Sequence, residues 1–234
     1  MPGGPALART DTHMDFERAR FNMIEQQIRP WDVLDPDVLD LLSAVRREDF
    51  VPASWRNMAF TDMEIPLEVD GRNTGECMLA PKVEARLLQA ARVQRHENVL
   101  EIGAGSGFMA ALLAHRARRV SSAEINPELA AMASANLKKS HVANATVELR
   151  DGQEVASQAS WDVIVLSGSV PFVPPSLLDR LEVGGRLVGI VGELPVMEAQ
   201  VITRVGEREF DTKTDFDAVA PLLVGFPARE RFRF

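Results

Sequence analysis

The most informative part of this sequence is the stretch Val99-Leu-Glu-Ile-Gly-Ala-Gly-Ser-Gly107. The apolar run over 98–102, before the glycines, predicts a short buried strand. Residues 109–117, after the glycines, predict a helix rich in alanine and leucine. Glycines between a strand and a helix let the backbone turn tightly and approach a ligand, while the first N–H groups of the helix are free to meet it. The stretch therefore predicts a nucleotide-binding turn.

The spacing of the glycines narrows the kind of nucleotide. They stand at positions 103, 105 and 107, whereas the dinucleotide fingerprint Gly-x-Gly-x-x-Gly would place its third glycine at position 108, which is Phe108. The chain also has no tyrosine with which to build a Tyr-x-x-x-Lys site. An NAD-dependent oxidoreductase is therefore a disfavoured alternative.

The sequence around this turn alternates short strands with helices. After the glycines, strands are predicted at 120–125, 145–150, 161–167 and 186–191, and helices at 127–139 and 175–181. The run Val163-Ile-Val-Leu166 is typical of a strand that is covered on both faces. Alternation of this kind implies parallel pairing with right-handed crossovers, so we expect an α/β fold with an open, doubly wound, mostly parallel sheet.

The two ends of the chain follow other patterns. Residues 15–29 and a segment that begins at Asp35-Pro36 predict helices, and 53–75 reads as a loop-rich connection with short strands. The last forty residues predict three strands without helices between them, which indicates an antiparallel edge; the strands are expected at 198–204, 209–214 and 221–224. We therefore expect a disordered tail over 1–13, an N-terminal helical cap and substrate segment over 14–80, and a binding domain over 81–234 that forms one compact unit with the cap.

Composition excludes several classes of protein. The chain has 234 residues, is 46% hydrophobic and carries a formal charge of −8, which argues against global disorder and against a broad basic surface for nucleic acid or anionic lipid. No run reaches the roughly 18 apolar residues of a membrane helix, and the N-terminus lacks the apolar core of a signal peptide. The single cysteine, Cys77, permits no internal disulfide, and the four histidines have no metal-ligand spacing. We expect a cytoplasmic monomer or homodimer without a metal, acting on neither nucleic acid nor membranes.

Candidate ligand contacts follow the predicted strands. Glu124 ends the second strand, where a carboxylate can accept hydrogen bonds from both hydroxyls of a ribose. Asp151, followed by Gly152, ends the third strand and could accept a hydrogen bond from an adenine amino group, although Asp-Gly is also a common turn dipeptide. Ser167 ends the fourth strand, where a small residue leaves room for a ligand. These side chains are expected at one edge of the sheet, where open α/β sheets bind ligands.

Taken together, the glycine turn, the acidic residue after the next strand, Asp151-Gly152 and Gly184-Gly-Arg-Leu187 resemble the class I S-adenosylmethionine-dependent methyltransferases. Within that class the N-terminal third resembles the protein-L-isoaspartate O-methyltransferase family. The matching segments are Met23-Ile-Glu-Gln-Gln27, Val45-Arg-Arg-Glu-Asp-Phe-Val-Pro52, Ala59-Phe-Thr-Asp62, Ile65-Pro-Leu67 and Pro81 with the helix after it. The resemblance covers roughly residues 14–192.

The resemblance implies a function and a set of site residues. It implies a repair enzyme that uses S-adenosyl-L-methionine to methylate the misplaced α-carboxylate of an L-isoaspartyl residue in a damaged protein, after which the ester collapses to a succinimide. It implies a Rossmann-like sheet and a catalytic role for Asp62. The cofactor contacts that it implies are Glu101, Gly103, Ala104, Gly105, Gly107, Glu124, Ile125, Asp151, Gly152 and Ser167.

One position departs from the family pattern. The family has a Thr-Ile-Ser motif before the proline matched by Pro81, and this chain reads Cys77-Met-Leu-Ala-Pro81, so Leu79 stands where the family has its active-site serine. Losing one such hydrogen bond costs on the order of 1 to 3 kcal/mol. Two alternatives follow: the same cofactor with another acceptor, such as a different carboxylate or a small molecule, or a protein that binds cofactor or peptide without turnover. Cys77 is expected to be a buried or partly buried inert thiol, because no histidine is placed to activate it.

Overall fold

The computed structural model describes residues 15–227. Its N-terminal part is built from short helices and one hairpin. The helices are α1 (Phe16–Met23), which continues as a π-helix (Ile24–Ile28) and a 3₁₀ turn (Arg29–Trp31), and α2 (Pro36–Ala44), followed by 3₁₀ turns at Arg47–Asp49 and Ala53–Met58. The predicted tail over 1–13 lies outside the described residues.

Two side-chain caps show why the first helices begin where they do. The Asp15 carboxylate accepts a hydrogen bond from the backbone N–H of Arg18, and the Asp35 carboxylate accepts one from the N–H of Asp37. Each cap satisfies one of the N–H groups that a helix start leaves without a partner. Pro36 adds a preset φ angle at the first position of α2. The predicted helix starts are thereby confirmed.

A small antiparallel hairpin precedes the main sheet. It pairs β1 (Ile65–Val69) with β2 (Arg72–Met78), and Ile65 faces Met78 across the two strands. Together these strands form a two-stranded sheet separate from the large one. The chain leaves β2 directly into Leu79, so the hairpin sets the position of that residue.

The remaining elements form the α/β part. In chain order they are α3 (Pro81–Ala91), β3 (Asn98–Ile102), α4 (Phe108–Arg116), β4 (Arg119–Glu124), α5 (Pro127–Lys139), β5 (Ala145–Leu149), α6 (Gly152–Ala156), β6 (Trp161–Val170), α7 (Pro175–Leu178), β7 (Leu181–Glu193), β8 (Val196–Arg204) and β9 (Phe210–Asp217).

The large sheet has seven strands in the order β5-β4-β3-β6-β7-β8-β9. Strands β5 to β7 are parallel, and β8 and β9 extend the sheet in antiparallel fashion. The doubly wound, mostly parallel sheet with an antiparallel edge is therefore confirmed. The connections run from β3 outward to β5 and then return to β6 on the other side of β3. The strand order thus reverses between β3 and β6, the place where open α/β sheets bind ligands.

Strand β6 shows why the sheet is stable. Val163 and Val165 pack into the core that contains the N-terminal helices, α3 and α4, whereas Ile164 and Leu166 pack into a second core on the opposite face. All four side chains are fully buried. The apolar run predicted a strand covered on both faces, and the structure confirms this.

Three local predictions were wrong. The strand expected over 161–167 continues to Val170, so Ser167 lies inside β6 and does not end it. Residues 221–224 do not form a strand, because only Leu222 makes an isolated bridge, parallel to Ser169 of β6. The helix expected over 175–181 stops at Leu178, and Gly184 and Gly185 lie inside β7 instead of ending a helix. The register between β6 and β7 shifts opposite Gly184 and Gly185. The two glycines therefore form an irregularity inside β7. Helix α6 was not predicted.

Candidate active site

A cleft of about 560 Å³ lies at the carboxyl ends of β3, β4 and β6, at the point where the strand order reverses. Its volume is within the range of small-molecule sites. Sheet residues and the starts of α5 and α6 form part of its wall, and the N-terminal hairpin and the chain after β9 form the rest. Of the predicted cofactor contacts, those that line this cleft are Gly103, Gly105, Glu124, Ile125, Gly152 and Ser167.

The glycine turn brings backbone to the cleft without side chains. Gly103, Gly105 and Gly107 all have positive φ angles, which residues with a side chain rarely adopt. A Cβ at Gly103 would lie 2.7 Å from the Cδ2 atom of Leu223, and one at Gly107 would lie 3.1 Å from the carbonyl oxygen of Ala133. Gly103 therefore permits close approach of the C-terminal chain, whereas Gly107 permits close packing of the turn on α5. Gly107 itself does not line the cleft.

Glu124 is held at the edge of the cleft by the backbone. Its two carboxylate oxygens accept hydrogen bonds from the N–H groups of Gly105 and Asn126, each at 2.9 Å. The carboxylate is thereby tied to the glycine turn on one side and to the start of α5 on the other. A carboxylate oxygen has two lone pairs, so each can still accept a bond from a ligand hydroxyl.

Glu101 lies beneath the turn and is fully buried. Its carboxylate accepts hydrogen bonds from the hydroxyls of Ser122 at 2.5 Å and Ser167 at 2.8 Å. Burial raises the pKa of Glu101 to about 7, and this effect outweighs the opposite effect of the two hydroxyls. The site therefore contains a carboxyl group that titrates near neutral pH.

A small inner cavity of about 20 Å³ continues from the main cleft. It is lined by Leu79, Glu101, Ala104 and Phe108 among others, and it shares Ser167 with the cleft. Leu79 is buried, so its isobutyl group fills the space beside the glycine turn. A cavity of this size holds at most about one water molecule.

Arg47 fixes the backbone of Leu79. Its guanidinium donates hydrogen bonds to the carbonyl oxygens of Leu79 and Ala59, each at 2.9 Å, and forms an ion pair with Glu84 of α3. The side chain is almost completely buried and lies over the ring of Phe108. Burial lowers the pKa of Arg47 to about 9. Because one planar group joins three segments, the loop that carries Leu79 has a defined position.

The structure separates Asp62 from the cleft. Asp62 forms an ion pair of 2.6 Å with Lys82, whose ammonium lies 4.2 Å from the ring centroid of Trp31. These three residues line a different cavity, on the far side of Ala80. Asp151 is also absent from the cleft lining and caps α6 by accepting a hydrogen bond from the N–H of Gln153.

Several lining residues were not predicted. From the hairpin they are Leu67, Glu76 and Cys77, and from the C-terminal chain they are Leu223 and Val224. Burial and the charge of Glu124 raise the pKa of Glu76. Burial, assisted by Glu64, raises the pKa of Cys77 to about 12, so this half-buried thiol stays protonated. The expectation of an inert thiol agrees with this environment. No local pattern marks these residues, because they reach the cleft only through packing.

The C-terminal chain is held over the cleft by β6. The Ser169 N–H donates to the carbonyl oxygen of Pro221 at 2.7 Å, and the Leu223 N–H donates to the carbonyl oxygen of Ser169 at 2.8 Å. Gln153 donates to the carbonyl oxygen of Gly225 at 2.9 Å. Leu223 therefore covers the glycine turn from above.

Within residues 15–227, no set of three or more histidine, cysteine and acidic side chains is arranged to hold a metal ion. In the same part of the chain no helix has the length and hydropathy needed to span a bilayer.

Sequence and structure comparisons agree on the relatives of this chain. The profile of the family described as protein-L-isoaspartate(D-aspartate) O-methyltransferase matches residues 18–221. A protein-L-isoaspartate O-methyltransferase of Koribacter versatilis is 35% identical over 213 residues, 91% of this chain and 93% of the relative. One from Protochlamydia amoebophila is 37% identical over 190 residues, 81% and 87% of the two chains.

Solved structures show the same fold. One described as a protein-L-isoaspartate O-methyltransferase superposes with a TM-score of 0.74 at 20% identity, over 89% of this chain and 66% of the other. A Plasmodium falciparum chain assigned to the same activity, in complex with S-adenosyl-L-homocysteine, gives 0.70 at 17% identity, over 89% and 97%. Because the family profile covers most of the sequence, the chain belongs to the protein-L-isoaspartate(D-aspartate) O-methyltransferase family.

Proposed function

We propose that this protein is an S-adenosyl-L-methionine-dependent methyltransferase that acts on the carboxylate of L-isoaspartyl residues in damaged proteins. The observation that carries the proposal is the family match over residues 18–221. The cleft at the reversal of strand order supports it, because this is where a nucleoside-containing cofactor binds in an open α/β sheet.

The residues of the cleft suit such a cofactor. Glu124 can accept hydrogen bonds from ribose hydroxyls while the backbone holds its carboxylate in place. Gly103 and Gly105 expose backbone at the turn. Glu76 and Glu124 add negative charge that favours a cationic ligand. The residues that we propose to hold or support the cofactor are Glu101, Gly103, Ala104, Gly105, Gly107, Glu124, Ile125, Asp151, Gly152 and Ser167, with residues 14–80 supplying the acceptor side.

The chemistry demands little acid or base catalysis. When bound, S-adenosyl-L-methionine supplies an electrophilic methyl group on sulfur. A carboxylate acceptor has an unperturbed pKa of about 4 and is ionised at pH 7, so no strong base is needed. The protein then contributes mainly by holding the acceptor oxygen in line with the methyl group and by excluding water. Arg47, which holds the Leu79 loop, is a positioning residue in this scheme.

A second candidate function keeps the cofactor and changes the acceptor. Leu79 lines the inner cavity of about 20 Å³ and presents an apolar surface at the position where, by the resemblance, the family has a serine. This wall favours an acceptor with an apolar group beside the reacting atom. In the third alternative the protein binds cofactor or peptide without turnover, and the inner cavity takes no part in a reaction.

Methyl transfer separates these functions. Radiolabelled methyl transfer is measured to an isoaspartyl peptide and to its aspartyl twin, and titration calorimetry compares S-adenosyl-L-methionine with NAD. The proposed function predicts transfer to the isoaspartyl peptide alone. Preferential binding of NAD would contradict it, and cofactor binding without transfer to the peptide would favour one of the alternatives.

Leu79→Ser tests the acceptor side directly. The substitution opens the inner cavity and restores a hydroxyl, so we expect the rate of isoaspartyl methyl transfer to rise by roughly tenfold to a hundredfold. Leu79→Ala is the matched control, because it opens the cavity without a hydroxyl. A rise in both variants would assign the effect to space, and no rise in either would contradict the assignment of Leu79 to the acceptor site.

We propose further that the enzyme acts in the cytoplasm, as a monomer or homodimer, on polypeptide substrates and not on nucleic acid or membranes. The single cysteine and the charge of −8 support this proposal.

A further inference from the structure

A second concave surface lies beside the cofactor cleft, where the N-terminal cap meets the β7–β8 turn and the chain after β9. It consists of two adjoining cavities of about 620 Å³ and 460 Å³ that share Met197 and Val219 in their walls. We call this surface the acidic groove. Neither cavity contains a residue of the glycine turn, so the groove is distinct from the cleft.

The groove has an apolar lining that is open to solvent. Leu194 is 70% exposed, Val196 65%, Val219 56% and Leu222 49%. All four line the groove. Single exposed apolar residues are common on protein surfaces, but several in one concavity mark a surface that another molecule covers.

The rim of the groove is negatively charged. Asp62, Glu64, Glu193, Glu198 and Asp217 line it. Among its lining residues the cationic side chain is Lys82, and the carboxylate of Asp62 neutralises that charge in the 2.6 Å ion pair. The surface therefore complements a ligand that carries positive charges next to apolar groups.

Two segments of the chain line the groove and the cofactor cleft side by side. Glu64, on its rim, directly precedes β1, in which Pro66 pairs with Cys77 of β2, and Cys77 lines the cleft. Leu222 lines the groove, and its neighbour Leu223 lines the cleft. A polypeptide in the groove can therefore present an adjacent residue at the inner end of the cleft.

We propose that the acidic groove binds the polypeptide segment next to the methylated residue and selects segments in which lysine or arginine alternates with apolar side chains. This inference rests on the proposed function. An isoaspartyl acceptor brings a carboxylate toward an already acidic surface, so basic neighbours offset the repulsion. Exposed charge pairs of this kind change affinity by a few-fold each and weaken as salt is added.

Binding of two matched peptides tests the inference. Both are fluorescently labelled isoaspartyl peptides of equal length and identical apolar residues, one with two flanking lysines and the other with two flanking glutamates. Anisotropy titration in the presence of S-adenosyl-L-methionine is expected to give a Kd about tenfold lower for the lysine peptide at low salt. The difference is expected to fall below about twofold in 0.5 M NaCl.

Two double variants locate the effect. Glu193→Gln with Glu198→Gln removes two rim charges, and we expect it to reduce the preference to about threefold or less. Glu182→Gln with Glu207→Gln is the matched control. Glu182 is the second residue of the same strand β7 and Glu207 lies in the turn between β8 and β9, and neither lines the groove. The control is expected to keep the wild-type preference. Circular dichroism confirms that each variant is folded.

Specific outcomes would overturn the inference. These are equal affinity of the two peptides in the wild type, no binding of either, or an unchanged preference in the Glu193/Glu198 variant. Self-association that this variant abolishes, seen by sedimentation velocity, would assign the groove to a second copy of the chain instead. Methyl transfer is measured in parallel: lysine-selective binding without transfer contradicts the proposed function alone, and transfer without selectivity contradicts the groove alone.

Discussion

Glu101 carries a carboxyl group that the fold has removed from water. Its position on β3, under the glycine turn, leaves the hydroxyls of Ser122 and Ser167 as its hydrogen-bond donors. Two neutral donors compensate the lost hydration of a carboxylate only in part. The folded protein therefore holds a proton on this group at pH values where the unfolded chain has lost it.

The pH dependence of stability follows from this shift. The pKa of Glu101 is about 7 in the folded protein and about 4.5 when unfolded, so its contribution to stability falls as pH rises between these values and is fully lost above about pH 7. We expect the wild type to lose up to about 3 kcal/mol through this group. Glu101→Gln has no such titration, and urea unfolding at pH 5, 6, 7 and 8 is expected to show a flatter profile for it. If the unfolding free energies of the two proteins change in parallel with pH, the raised pKa of Glu101 is contradicted.

The glycine turn acts as a joint between β3, α4 and α5. Gly107 precedes the first residue of α4 and has a φ angle of 85°, and its neighbour across the turn is the backbone of Ala133 in α5. The turn thereby reverses the chain and also lets α4 and α5 pack closely. A side chain at this position meets both a conformational and a steric barrier.

Gly107→Ala separates these two costs when compared with Gly71→Ala. Gly71, in the turn between β1 and β2, also has a positive φ angle, but a Cβ there would meet nothing within 4 Å. We expect Gly71→Ala to cost about 1 kcal/mol of unfolding free energy through backbone strain alone. Gly107→Ala is expected to cost about 2 to 4 kcal/mol, because overpacking against α5 is added. Denaturant unfolding measures both, and equal losses would show that packing at α5 has no part.

The cofactor cleft is closed by segments that are far apart in the chain. Residues of β2 form one side, the ends of β3 and β4 form the floor, and the chain after β9 forms the cover. The cover depends on the bonds between Ser169 and the backbone of Pro221 and Leu223. We therefore expect cofactor affinity to depend on the docking of the C-terminal chain on β6.

Leu223→Ala tests this coupling. The substitution removes apolar contact above Gly103, so we expect the Kd for S-adenosyl-L-methionine to rise by about tenfold, in line with the loss of a partly buried leucine side chain. Leu222→Ala is the control, because Leu222 points into the acidic groove and not the cleft. Its Kd is expected to stay within about twofold of the wild type. Titration calorimetry measures both, and equal effects would argue against a cover over the glycine turn.

The parts of the fold that were predictable depend on local signals. The observed bounds equal the predicted ones for the strand Asn98–Ile102 and the helix Pro127–Lys139. Their signals, an apolar run before a glycine turn and a proline at a helix start, each lie within a few neighbouring residues. The short strands at 65–69 and 72–78 were expected only as parts of a loop-rich connection, since neither strand has a long hydrophobic period. The helix over Gly152–Ala156 is too short to produce any period.

The sequence alone established the alternation of parallel strands and helices around the glycine turn, the turn itself and the acidic residue that faces it, because neighbouring residues encode each of these features. Packing of distant segments established the rest: Glu76 and Leu223 face the cleft, while Asp62 lies outside it in the acidic groove. Burial also set the protonation of Glu101 and Cys77. These properties depend on contacts between residues far apart in the chain and on the exclusion of water, and no local pattern encodes either.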